Sequence, residues 1–159
     1  VYPDIFDRME VLYVGLVEVD ERTARAGVSW HRGQVVLSWG DVIRGVTDPV
    51  DGFNVVLHEF AHKLDEQESG TDGLPELHGL DHYAEWAEVL SREYEALHKR
   101  AARGTNHVLD DYGLESPAEF FAVATESFFE KAKAMRKRLP DLYAQLRRYY
   151  RVDPATWDH

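Results

Sequence analysis

Between positions 54 and 65 the chain reads Asn-Val-Val-Leu-His-Glu-Phe-Ala-His-Lys-Leu-Asp. His58 and His62 are four apart, and on a helix such residues share a face. Two imidazoles can therefore hold one ion, each nitrogen about 2.0–2.1 Å from a zinc. Glu59 is displaced around the helix from the first histidine, so its carboxylate reaches a water beside the metal rather than the metal. One turn thus provides two ligands and a general base for hydrolysis. The plain alternative is a helix with two incidental histidines. The apolar surroundings weigh against it, because buried imidazoles and a buried carboxylate need partners. A metal supplies them.

A catalytic zinc needs a third protein ligand and an open position. Downstream candidates are Asp65, Glu66, Glu68, His78, His82, Glu115, Glu119 and Glu126. Asp65 shares the histidine face but would strain a tetrahedron, and it better suits a carboxylate that fixes an imidazole. His78 and His82 straddle a glycine and a helix start, which points to surface or capping roles. Glu119 opens a helix rich in aromatic and small residues. In Ser116-Pro-Ala-Glu119 it could equally complete a capping box, and the residues alone leave both roles open. Glu126 lies two turns on, facing the same way. It is either the competing ligand or a carboxylate supporting a ligand imidazole.

The elements that must position these residues divide the chain in two. The first half suggests strands: Val11–Val19, then Gly27–Trp30, a turn at His31–Gln34, and Val35–Trp39. Glycines at 40, 45 and 52 with Pro49 suggest loop. The second half suggests helices over 53–65 with Asp51 as cap, 80–100, 117–134 with Ser116 as cap, and 140–150. Residues 66–79 and 104–113 read as loops. The expectation is α+β, a zincin-like domain with a small N-terminal sheet and a helical C-terminal half carrying the histidine motif.

Composition limits the function classes. The 159 residues, 44% hydrophobic, suit a single domain over 1–159 with a real core. No apolar run could cross a bilayer and no charged-then-apolar leader is present, so no membrane role is expected. The first residue is Val1, which suggests a domain taken from a longer protein. Cysteine is absent, excluding disulfides, thiolate zinc sites and a cysteine nucleophile, and fitting a cytoplasmic setting. A net charge of −11 argues against nucleic acid as a partner. The basic cluster from Lys131 to Arg138 reads as the solvated end of a helix.

Two segments, His58-Glu-Phe-Ala-His62-Lys-Leu-Asp65 and Ser116-Pro-Ala-Glu119-Phe-Phe-Ala-Val-Ala-Thr-Glu126-Ser-Phe-Phe129, resemble the Mlc titration factor A family of bacterial zinc peptidases. The similarity extends over nearly the whole chain, without the family's usual N-terminal segment. It implies zinc ligands at His58, His62 and Glu119, with Glu59 as base. Asp65 and Glu126 then become supporting carboxylates. The layout is also similar to the anthrax lethal factor protease domain, where a tyrosine seven residues before the third ligand faces the site. That position is Tyr112 here, and the likeness implies a hydrogen bond to the oxyanion.

Zinc-dependent peptide hydrolysis is thus the expected activity. The resemblance implies the aminopeptidase type, which the motif itself does not distinguish from an endopeptidase. Glu66, Glu68 and Asp72 could each hold a substrate's free amine, and Val35–Trp39 could pair with an extended peptide. The rival reading is a regulatory protein that sequesters a transcriptional repressor, as the resemblance also implies. A third, a structural zinc site, would need four protein ligands.

Overall fold

The computed structural model describes residues 27–29, 35–66, 72–77, 79–104 and 108–157. The expected strand Val11–Val19, the turn His31–Gln34, Glu68 and His78 lie outside them. β1 (Gly27–Ser29) and β2 (Val35–Leu37) pair antiparallel, with Val28 opposite Val36. The ribbon ends at Ser38, whose Oγ accepts from the Asp41 N–H at 3.4 Å and starts α1 (Trp39–Thr47).

The α+β expectation is overturned here. Helices carry the described residues, and one ribbon of three-residue strands is not a sheet layer with a face to cover. Gly40 and Gly45, which suggest loop, lie inside α1. Gly45 is there for proximity: a Cβ would stand 3.3 Å from the Phe53 carbonyl oxygen and 3.4 Å from Asn54 Cα. α1 therefore lies hard against the approach to α2 (Val55–Asp65). The cap of α2 is Asn54, not Asp51; Asn54 Oδ1 accepts from the N–H groups of Val56 and Leu57, both at 3.1 Å. Asp51 instead accepts from the Phe53 N–H at 2.8 Å, turning the chain just before the helix.

α3 (Leu80–Ala101) and α6 (Pro140–Tyr150) follow the expected spans closely. The long helix expected over 117–134 breaks at Lys131 (φ −111°, ψ 29°) into α4 (Pro117–Glu130) and α5 (Ala132–Arg138). Arg136, Lys137 and Arg138 fall in the last turn of α5, where cations offset the dipole.

α4 is the axis of the core. Ala118 and every residue from Phe120 to Phe128 are buried, as a helix surrounded by other elements requires. α2, α5, α6 and a 3₁₀ turn at Asp111–Leu114 pack on it. Phe121 meets Trp86 of α3 with ring centroids 5.7 Å apart, and Phe128 meets Tyr143 of α6 at 5.1 Å. Each fully buried phenylalanine contributes about 1.5–3 kcal/mol. Apolar burial thus fixes α4, and α2 docks on that fixed helix with its histidines facing Glu119. No helix among the described residues is long and apolar enough to cross a membrane.

Candidate metal centre

His58 and His62 emerge from α2, and Glu119 from the first turn of α4. Ser116 Oγ accepts from the Glu119 N–H at 3.1 Å, so the serine cap exists. The return half of a capping box does not form from the glutamate oxygen facing the histidines. Glu119 Oε2 instead stands 3.0 Å from His58 Nε2 and 3.4 Å from His62 Nε2, and the two imidazole nitrogens are 3.1 Å apart.

This triangle is the test of whether a metal fits. Four ligands around a tetrahedral zinc at about 2.0–2.1 Å lie roughly 3.3–3.4 Å from one another. Three donors already stand at nearly that spacing, so an ion can sit over their face with a fourth position open. These three are the residues that could hold a metal among those described. The electrostatics agree. Burial would lower the His58 pKa, but the carboxylates of Glu119 and Glu126 outweigh it and hold it at about 10. Burial would likewise raise Glu119, yet the two imidazoles bring it down to about 2. The cluster demands positive charge at its centre, and a divalent cation meets that demand.

Glu59 is buried at 5% exposure, and its Oε2 has no hydrogen-bond partner among the described residues. Burial pushes its carboxyl up from the ordinary range, against the pull of His58 and His62. A buried carboxylate oxygen without a partner is costly.

Glu126 Oε1 lies 2.8 Å from His58 Nδ1, while its Oε2 accepts from the Asn54 N–H. A proton donated from Nδ1 to Glu126 would leave Nε2 as the lone pair that a metal ligand needs. Asp65, fully buried, accepts from the Gly73 N–H at 2.8 Å, and burial raises its carboxyl despite that bond. Tyr112, in the 3₁₀ turn, places its ring centroid 5.7 Å from that of His58. Glu66 pairs with Lys63 at 2.6 Å, and Glu115 is the last-turn cap of the 3₁₀ segment.

His82 is not a surface residue. It is wholly buried beside Trp86, with Nε2 3.0 Å from Gln145 Oε1 of α6. Two residues escaped the sequence reading: Asn54 and Glu130, joined by an Nδ2–H donated to Oε1 at 2.9 Å. The available signal was the spacing of Glu119, Glu126 and Glu130, which puts three acids along one side of α4.

Two histidines around a glutamate on one helix, answered by a glutamate on a second, are the arrangement of a metallopeptidase of the HExxH type. The chain belongs to the glucose-regulated metallo-peptidase M90 family, whose profile matches residues 1–151. It is 40% identical over 156 residues to an uncharacterized protein of Synechocystis sp., covering 97% of this chain and 57% of that one. It is 37% identical over 148 residues to Mlc titration factor A of Pectobacterium atrosepticum, with 90% and 54% covered. Against Mlc titration factor A of Escherichia coli O1:K1 the identity is 35% over 155 residues, covering 92% and 55%. The chain thus spans little more than half the length of these relatives.

Proposed function

We propose that this chain is a zinc-dependent peptidase of the aminopeptidase type, with His58, His62 and Glu119 as ligands. The observation that carries the reading is the donor triangle with 3.0, 3.1 and 3.4 Å edges beside the buried Glu59 carboxylate. A zinc ion held there supplies Lewis acidity, making water acidic near neutral pH and polarising the scissile carbonyl. Glu59 Oε2 takes a proton from the attacking water and delivers it to the leaving amine. The buried setting suits this, since a raised pKa lets the carboxyl hold the proton between the two steps. Tyr112 donates a hydrogen bond to the developing oxyanion. Glu126 keeps the His58 tautomer.

The test is Glu59→Gln, which preserves shape and removes the base. Zinc content by elemental analysis should equal wild type, while peptide turnover should fall by about 10²–10⁴-fold. Retained hydrolysis in that variant defeats the mechanism. Turnover of an unblocked peptide but not its N-acetylated form supports the aminopeptidase type; equal turnover of both points to an endopeptidase.

A second reading draws on the relatives named Mlc titration factor A. By that name they titrate Mlc, and this chain would act by capturing a repressor of that kind. Glu59→Gln should then still bind the partner, as a pull-down with the purified repressor would show.

A further inference from the structure

Asn54 is where four polar demands meet. Its Oδ1 caps α2, accepting from Val56 and Leu57. Its carbonyl accepts from the His58 N–H at 2.9 Å, the first bond of the histidine helix. Its own N–H donates to Glu126, and its Nδ2 donates to Glu130 Oε1 at 2.9 Å. The other Glu130 oxygen accepts from the Gly52 N–H at 3.0 Å. Glu130 therefore grips residues 52 and 54 together, from the helix that also presents Glu119.

Helix capping alone does not require this. Asp, Ser or Thr would cap α2 as well as Asn does. Asn carries an NH₂ group beside its capping oxygen, and this group donates to Glu130, whose two oxygens take one donor each, Asn54 Nδ2 and Gly52 N. The backbone at Gly52 is left-handed, with φ +78°, a conformation that favours glycine, and the Lys131 side chain lies over it. His58 begins one helical bond away from this knot, and the donor triangle tolerates little displacement of its imidazole.

We infer that Asn54 and Glu130 are positioning residues of the metal centre, locking the start of α2 to α4 so that His58 meets Glu119 at bonding distance. The inference rests on the proposed metal site.

Asn54→Asp keeps the capping acceptor and the side-chain shape but sets an oxygen against the Glu130 carboxylate. Glu130→Gln leaves one of the two donors without an acceptor. Combined, the two changes restore the contact with donor and acceptor exchanged: Gln Nε2 donates to the aspartate and Gln Oε1 accepts from Gly52. The probe is zinc alone, its dissociation constant measured by chelator competition on each variant, with melting of the metal-free protein recorded alongside. Each single variant should bind zinc about tenfold more weakly, and the double variant should return to within about twofold of wild type. Simple charge predicts otherwise, because the added carboxylate would tighten binding and the lost one would weaken it. Singles that split in that way, singles of unchanged affinity, or a double variant that does not recover each overturn the inference. Should Asn54→Asp fail to fold, Glu130→Gln and the double variant decide by the same criteria. A wild-type chain that binds no zinc defeats the metal reading itself, and the wild-type titration alone shows it.

Discussion

Glu126 makes two bonds that serve different ends. One oxygen meets His58 Nδ1 at 2.8 Å and the other takes the Asn54 N–H, so it holds an imidazole and fastens a helix start at once. Glu126→Gln keeps an acceptor for Nδ1 but removes the charge and turns an amide NH₂ toward the Asn54 donor. Supporting carboxylates of this kind typically alter metal affinity by 10–100-fold. Zinc affinity of Glu126→Gln by chelator competition should fall within that span, and an unchanged value would show that His58 needs no such support. At this scale the sequence is readable where spacing is local. His58, Glu59 and His62 need only a helix to be placed. Glu119 carries the same Ser-x-x-Glu signature as a capping box, and only packing against α2 tells the roles apart. His82 follows a glycine at a helix start, and nothing local to it reveals that α6 covers it.

At the level of elements, the end of α2 and the start of α4 are pegged through Gly73. Its N–H donates to Asp65 at 2.8 Å, its carbonyl accepts from Trp86 Nε1 at 3.1 Å, and its φ is +78°. A Cβ there would stand 2.6 Å from the backbone oxygen of Pro117, two residues before Glu119. Gly73→Ala therefore combines left-handed strain with a backbone clash, costing about 1–3 kcal/mol or more. Gly104→Ala is the control, since Gly104 also has φ +62° but nothing lies within 4 Å of its Cβ. Thermal melts should show Gly73→Ala lower than Gly104→Ala; equal melting would mean that the clash is relieved without loss. Packing of this sort is also what the sequence concealed. Gly45 suggests loop on composition, yet it sits within α1 because α1 must approach Asn54 closely. The run Val35–Trp39 suggests a strand, but the Ser38 cap ends it at Leu37. Helices with a strong apolar period, α3 and α6, were legible because their own sequence fixes the buried face.

Across the whole molecule, the candidate metal centre and the core occupy separate places. The core lies along α4, beneath α3, α5 and α6, and is built from Trp86, Phe121, Phe128, Met135, Leu142 and Leu146. The three donors sit at the other contact of α4, where α2 docks. An ion bound there links α2 to α4 without being the source of the fold, unlike a structural zinc on which a small domain depends. The prediction is specific in both directions. Chelation should leave the far-ultraviolet helical signal in place at 25 °C, because apolar burial along α4 is untouched. It should nevertheless lower the melting temperature, since an ion held between residues of two helices would bind the native state in preference to the unfolded one. At free zinc a thousandfold above its dissociation constant the linkage is about 4 kcal/mol. For a chain of this size that corresponds to roughly 8–16 °C, at about 2–4 °C per kcal/mol. Calorimetric scans with and without chelator measure it, and His62→Ala should remove the difference. Loss of helix on chelation would instead make the metal structural. An unchanged melting temperature in a chain that binds zinc would mean that the unfolded chain holds the ion as tightly as the native one.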